Sequence, residues 1–325
     1  MSKKTYMRLL GTGSYLPKKT VTNDDLSQFV ETSDEWIKQR VGIHSRHYAE
    51  GEETTLFMAE SAAKKALEAS NTEPNEIGLV LVATATADYI MPSVASTLQA
   101  RLGIPSCPAM DINAACSGFV YLVDIAKQYI ENGACKKVLL VASERLSRIL
   151  DWKDRTTCIL FGDGAGATVF GQSDQPGVVT SIIHSNGNGC DMLNIKNSIP
   201  DVLYDGSAYA TYMTMEGNKV FRHAVAALSS LVTELLDDSD LKGSDIDWLV
   251  PHQANYRIIN AAAKKLKMPM DRVVVTLNTH GNTSAASIPL ALDYAVRKGM
   301  IVRGETILLE AFGAGLVWGG CILKY

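Results

Sequence analysis

A weak internal repeat restricts this chain more than any other feature. From Leu79 it reads LVLVATATADY, a helical stretch ending QARLGIP, a strand-like PAMDINA, a helix-opening ACSGF, a helix ending at Gly133, and an apolar KVLLVASE. From Trp248 the order returns as WLVPHQANY, a helix ending KKLKMP, RVVVTLN, HGNTSAAS, a helix ending at Gly299, and TILLEAFG. The two copies agree in pattern rather than in identity. Such self-similarity predicts two βαβ-containing units related by a pseudo-twofold axis. Aligning Leu102 with Leu266 sets Cys116 opposite His280, two residues from Asn282. The loops bearing Cys116 and Asn282 are then expected at equivalent places beside one cleft.

The elements inside each copy are those of an α/β protein. Ile77–Ala83 and Lys137–Ala142 are near-continuous apolar runs, expected as strands buried on both faces. Glu60–Ser70 has helical spacing, with Ala63, Ala66 and Leu67 on one face. The 325 residues are more than one typical domain of roughly 100–200 requires. A net charge of −4 gives no chain-wide attraction to nucleic acid or to an anionic membrane, so an anionic partner must meet a local basic patch. The N-terminal MSKKTYMRLLGTGSYLP lacks a secretory apolar core, and no run suits a membrane span, so a cytoplasmic location is expected. Six cysteines (Cys107, Cys116, Cys135, Cys158, Cys190, Cys321) lack zinc spacing and are expected as thiols, each by default a small buried hydrophobe.

Three segments have the residue types for chemistry. In Asn113-Ala-Ala-Cys-Ser-Gly-Phe119 a strand enters and an apolar helix leaves, placing Cys116 at a helix N-terminus. The positive end of the helix dipole there favours a thiolate, the form that attacks a thioester; the competing reading is a packed core cysteine. Val250-Pro-His-Gln-Ala-Asn255 puts His252 at the C-terminal mouth of a buried strand, where α/β sites lie, or makes it a hydrogen-bonded structural histidine. Asn278-Thr-His-Gly-Asn282 offers a neutral amide donor in Asn282, or an ordinary N-cap. Two glycine-rich stretches fail as nucleotide loops. Gly11-Thr-Gly13 lacks a third glycine, and Phe161-Gly-Asp-Gly-Ala-Gly166 leads into a strand, leaving no helix terminus for pyrophosphate.

Together with GTGSYLP, TSDEWI, DRTTCILFGDGAGA and the closing EAFGAGLVWGG, these segments make the chain resemble the β-ketoacyl-acyl-carrier-protein synthase III family along essentially its full length. The resemblance implies a thiolase-like duplicated fold layered αβαβα. Residues 1–174 would form the half with the nucleophile and 175–325 the half with His252 and Asn282, usually in a homodimer. It implies decarboxylative condensation of a short acyl-CoA with malonyl-acyl-carrier protein through an S-acylated Cys116, with no metal or redox cofactor. His252 and Asn282 would steady the enolate oxygen, and the backbone N–H groups of Cys116 and Ala314 the tetrahedral oxyanion. The adenine of CoA would lie between Trp36 and Arg155, phosphate at Arg40, and the pantetheine arm near Asn218 and Asn255. Arg222, Arg257, Lys264 and Lys265 would dock the acidic carrier protein, Arg257 and Lys264 sharing a helix face; solvated surface charges are the competing reading.

Two positions depart from the family pattern. Gly313-Ala314-Gly315 stands where three glycines are common, so a methyl group is expected to crowd the turn or restrict φ. Met91 replaces a phenylalanine that often closes the acyl pocket across the dimer, leaving chain length open. Three alternatives share parts of this pattern. A starter-unit relative in secondary metabolism would keep the triad. A degradative thiolase would need a second acid/base cysteine, whereas Cys321 lies in a strand-like run. A non-catalytic acyl-CoA or carrier-protein binding module would have lost triad members.

Overall fold

The computed structural model describes residues 5–196 and 211–325. One mixed sheet contains β1 (Tyr6–Tyr15), β2 (Leu79–Ala83), β3 (Ala109–Ile112), β4 (Lys137–Glu144) and β5 (Gly164–Ser173). Their spatial order is β1-β5-β4-β2-β3. Strand β2 runs parallel to β3 and β4, and β5 antiparallel to β4 and β1. A second sheet contains β6 (Val178–Ser185), β7 (Trp248–Pro251), β8 (Thr306–Gly313) and β9 (Val317–Lys324), ordered β7-β8-β9-β6. There β7 is parallel to β8, and β9 antiparallel to both neighbours. The series β2-β4-β5-β1 thus recurs as β7-β8-β9-β6 with the same strand directions, as the repeat requires.

The structure corrects the repeat's register. Leu79 corresponds to Trp248, Ala115 to Ser284 and Lys137 to Thr306 at one constant spacing, which pairs Cys116 with Ala285 and not with His280. The Leu102–Leu266 alignment misleads because the second half carries an added helical turn at Leu277–His280 before its elbow. The strand expected at RVVVTLN is likewise reduced to a single parallel bridge, Leu249 to Val273. The buried Gln253 takes over the backbone groups that a longer ladder would have paired. Its amide donates to the Val274 carbonyl at 3.1 Å, and its oxygen accepts from Thr276 N at 2.9 Å and Leu277 N at 3.0 Å.

Seven helices complete the architecture relevant to the site: α1 (Asp34–Val41), α2 (Thr55–Ala69), α3 (Val94–Arg101), α4 (Gly118–Glu131), α5 (Gly217–Ser239), α6 (Tyr256–Leu266) and α7 (Ser287–Arg297). The helix expected over Glu60–Ser70 starts earlier, at Thr55, because the Thr54 side chain caps it by accepting from Phe57 N. Strand alternation separates the layers. Leu79, Leu81 and Ala83 of the first sheet and Ile307, Leu309 and Ala311 of the second face a central core built on α4 and α7. Val80, Val82, Leu139 and Val141 face outward onto α2 and α3. Leu249, Leu308 and Ile322 face outward onto α5 and α6. The result is helix, sheet, helices, sheet, helix: the expected αβαβα. Phe119 and Leu122 are fully buried between the sheets, each worth roughly 1.5–3 kcal/mol of apolar burial. That packing fixes the N-terminal ends of α4 and α7, where the candidate site lies. Among the described residues, no helix is long and apolar enough to cross a membrane.

Candidate active site

A cavity of about 510 Å³ opens between the halves. Its exposed lining includes Trp36, Arg40, Arg155 and Asn218, and its buried lining includes Cys116, His252 and Asn282. The residues proposed for a nucleotide and those proposed for chemistry therefore share one space, exposed at one end and buried at the other.

Cys116 sits in a single turn, Ala115–Ser117, between β3 and α4. Ala115 has φ +42°, a left-handed conformation costly for alanine, and the equivalent Ser284 has φ +51°. Both halves thus use the same strained elbow to turn a strand into a central helix. Two glycines allow the close packing around it. A Cβ on Gly118 would lie 2.7 Å from the Ala83 methyl, and one on Gly313 would lie 2.8 Å from Cys116 N. The expectation of a thiolate in the resting protein is overturned. Burial pushes the Cys116 thiol up to about 11, with the nearby Ser284 side chain opposing the rise and the Glu144 carboxylate adding to it. At neutral pH the group is a thiol despite the helix terminus.

His252 and Asn282 are held as donors by neighbours that the sequence reading missed. Ser287, the first residue of α7, accepts from Gln253 N at 3.3 Å, and its hydroxyl lies in hydrogen-bond contact with His252 Nδ1 at 2.7 Å. With the hydroxyl as donor in that contact, the ring proton is on Nε2. Burial holds the imidazole down to about 3, so it is neutral across the physiological range. Asn282 Oδ1 accepts from Ser284 N at 2.9 Å, which commits the oxygen and leaves the NH2 as donor. Its backbone is clamped by the FGDGAG segment: Asn282 N donates to the Leu160 carbonyl and Gly162 N to the Asn282 carbonyl, both at 2.9 Å. Arg46, fully buried, supports that segment by donating to the Ile159 carbonyl at 2.7 Å. The glycine-rich stretch is accordingly a packed turn against the Asn282 loop, and no helix follows it.

Two buried acids were also missed. Glu310 in β8 lines the cavity, is fully buried, and neither carboxyl oxygen has a hydrogen-bond partner among the described residues. Burial pushes it up to about 8, so it is mostly uncharged at neutral pH. Glu144, at the end of β4, accepts from Thr86 Oγ1 at 2.6 Å and from Ala85 N at 3.1 Å, and burial raises it to about 7. The available signal was an acid terminating or interrupting an otherwise apolar strand, KVLLVASE and TILLEAFG.

The remaining sequence candidates fall in three groups. Arg155 rests over the Trp36 ring at 5.2 Å and Arg40 at 6.0 Å, so the aromatic–guanidinium pair is formed although an inserted base must part it. Asn218 lies exposed at the start of α5, and Asn255 caps α6 by accepting from Arg257 N at 2.9 Å; both line the cavity. Ala314 stands partly buried in the turn after β8, beside the lining residue Gly313. The feared backbone restriction does not arise: the left-handed φ, +137°, falls on Gly315 and not on Ala314. Met91 is 84% exposed and does not line the cavity in a single chain. Of the basic residues, Arg257 lines the cavity mouth, Arg222 is exposed on α5, and Lys264 and Lys265 lie at the far end of α6, roughly 10 Å along the axis from Arg257. Among the described residues no cluster of His, Cys, Asp and Glu is arranged to hold a metal.

Comparison with known proteins places this geometry. The profile for 3-oxoacyl-[acyl-carrier-protein] synthase III matches residues 110–187, and the profile for its C-terminal part matches 236–325. The chain is 52% identical to the β-ketoacyl-[acyl-carrier-protein] synthase III of Methylococcus capsulatus, over 98% of this chain and 99% of that one. It is 50% identical to the Thioalkalivibrio sulfidiphilus protein of the same name, over 99% of this chain and 100% of that one. The crystal structure of 3-oxoacyl-[acyl-carrier-protein] synthase III from Aquifex aeolicus superposes with a TM-score of 0.92 at 42% identity, covering 98% and 100% of the two chains. The priming β-ketosynthase of the R1128 polyketide pathway superposes at 0.95 with 38% identity, covering 100% and 97%. The thiolase-like fold and the match across both halves make this chain a member of the β-ketoacyl-[acyl-carrier-protein] synthase III family, the acyltransferases that carry out the initiating condensation of fatty-acid synthesis.

Proposed function

We propose that this chain condenses a short acyl-CoA with malonyl-acyl-carrier protein, using Cys116 as acyl carrier and His252 and Asn282 as enolate-stabilising donors. The observation carrying this reading is the convergence of the three buried residues on a cavity whose exposed lining is the Trp36, Arg40 and Arg155 cluster. In the first half-reaction Cys116 Sγ attacks the acyl thioester and CoA leaves. The tetrahedral oxyanion accepts from the N–H groups of Cys116 and Ala314. The adenine takes the Trp36–Arg155 clamp, Arg40 meets phosphate, and Asn218 and Asn255 flank the pantetheine arm. In the second half-reaction malonyl-acyl-carrier protein loses carbon dioxide and its enolate carbon attacks the acyl-cysteine. Negative charge then builds on the thioester oxygen, where the His252 Nε2–H and the Asn282 NH2 donate. A neutral imidazole and a largely protonated Glu310 keep anionic charge off that wall. None of these steps calls for a metal or a redox cofactor.

The exposed apolar run Tyr89-Ile90-Met91, at 67%, 81% and 84% exposure, supports a homodimer in which Met91 reaches the partner's acyl pocket. Arg222, Arg257, Lys264 and Lys265 form the carrier-protein surface, with Arg257 closest to the chemistry. A cytoplasmic location and the division at residues 174/175 complete the reading. The likeness to the polyketide priming enzyme supports a second reading, in which the same chemistry starts a secondary pathway. A panel of acyl-CoAs with malonyl-acyl-carrier protein tests the proposal: a 3-oxoacyl-carrier protein with release of carbon dioxide is expected. Acyl transfer without decarboxylation would overturn it, and a starter other than a short fatty acyl group would favour the second reading.

A further inference from the structure

Strand β8 has the alternation of a strand buried on both faces, except at Glu310. Ile307, Leu309 and Ala311 point to the central core, while Leu308 and Phe312 point toward α5 and α6. Glu310 falls between Leu308 and Phe312 on that second side, and it lines the cavity with Phe312 where Leu309 and Ala311 do not. Its backbone is fixed: Glu310 pairs with Pro251 of β7 and Gly320 of β9, and its carbonyl accepts from His252 N at 2.8 Å. The carboxyl is fully buried and, among the described residues, neither oxygen has a partner. Buried polar groups are nearly always hydrogen-bonded, so this one presents its capacity to whatever enters the cavity.

Few charges face it. The sides of α5 and α6 turned to the sheet are apolar, through Ala224, Leu228 and Leu231 on one and Ile259 and Ala262 on the other. The other titratable groups lining the cavity are Cys116 and His252 at its buried end and Arg40, Arg155 and Arg257 at its exposed mouth. Burial keeps His252 neutral and raises Glu310 to about 8, so at neutral pH the buried end holds one uncharged acid that can donate. A malonyl thioester brings an anion to that end, whereas a short fatty acyl thioester does not. The malonyl carboxylate must also lie away from the His252 and Asn282 donors. Its C–C bond breaks into the enolate only when it stands across the plane of the thioester.

We infer that the Glu310 carboxyl receives the malonyl carboxylate, donating its O–H to one carboxylate oxygen and so holding the scissile bond across the thioester plane. This rests on the condensation proposed above. As the C–C bond breaks, its electron pair passes into the enolate, carbon dioxide leaves uncharged, and the proton stays on Glu310. The hydrogen bond is strongest to the bound carboxylate and fades as charge moves to the thioester oxygen. Glu310 is therefore a residue of binding and discrimination, not of rate acceleration. Once ionised it has no proton to donate and repels the same substrate.

The test is steady-state condensation by the full protein at saturating acetyl-CoA, with KM for malonyl-acyl-carrier protein and kcat measured across the pH range and thermal melts confirming the fold. The wild-type KM should rise as pH passes about 8. Glu310→Gln keeps a donor and does not titrate, so its KM should stay near the wild-type value at neutral pH and remain flat. Glu310→Leu removes donor and titration together; its KM should be about ten-fold higher and flat with pH, without a fall in kcat. A misfolded or generally damaged site would instead lower kcat. A wild-type KM in Glu310→Leu, or a rise above pH 8 that persists in Glu310→Gln, would overturn the assignment while leaving the condensation intact. Failure of the wild type to form a 3-oxoacyl-carrier protein would overturn both.

Discussion

Replacing Glu310 with glutamine should stabilise the protein, and increasingly so as pH rises. The carboxyl is fully buried, has no hydrogen-bond partner among the described residues, and is pushed from 4.5 to about 8 by burial. Between those values the folded chain holds a proton that the unfolded chain has released, so stability from this group falls with rising pH. Each pH unit inside that window costs about 1.4 kcal/mol, flattening as pH nears the folded value. From pH 6 to pH 8 the loss is roughly 2 kcal/mol. Glutamine has nearly the same shape and does not titrate. The buried histidines have the opposite sign: His252 and His280, held at about 3 and about 4, favour folding as pH rises toward the ordinary histidine range. They are common to both proteins and cancel in the comparison. Urea unfolding of wild type and Glu310→Gln at pH 6, 7 and 8 measures the difference. The variant's advantage should grow by about 2 kcal/mol across the series. A difference that stays flat from pH 6 to 8 would mean that Glu310 is not a buried neutral acid, and the uncharged wall opposite the enolate would lose its basis.

Three further outcomes follow from the site. Gly313→Ala places a methyl carbon 2.8 Å from Cys116 N and should lower the acylation rate at least 100-fold, seen by intact mass, while wild-type-like acylation would show that the elbow yields. Ser287→Ala frees the His252 Nδ1 position and should slow malonyl decarboxylation roughly 10–100-fold with a smaller effect on acylation. His252→Ala and Asn282→Ala should likewise depress decarboxylation more than acylation, measured as released carbon dioxide against acetyl mass; equal loss of both steps would contradict their assignment as enolate donors.

How much of this was legible in the sequence depends on how far apart the cooperating residues lie. The layered fold was readable because β2 and β4 are apolar throughout and the order of elements repeats. Cys116, His252 and Asn282 were readable because each stands at a junction of strand and helix in a recognisable segment. The register of the repeat was not, because the extra turn at Leu277–His280 has no counterpart and the tertiary role of Gln253 removes a strand that its sequence favours. Ser287 reaches His252 across 35 positions and Arg46 reaches Ile159 across 113, contacts that no local pattern announces. The protonation state of Cys116 was misread for a related reason. The helix terminus is visible in sequence, whereas the burial that outweighs it is a property of β8 and the Ser284–Ala286 turn packing against the elbow. Trp36 and Arg155 were paired through family resemblance alone, and the contact at 5.2 Å is their first physical link.

The central claim is that Cys116 carries the acyl group between two thioester substrates. Incubating the full-length protein with acetyl-CoA and mapping the adduct by peptide mass spectrometry tests it most directly. One acetyl group is expected on Cys116, and it should discharge on adding malonyl-acyl-carrier protein. An unmodified Cys116 under conditions that support turnover, or an adduct that persists when the second substrate arrives, would contradict it.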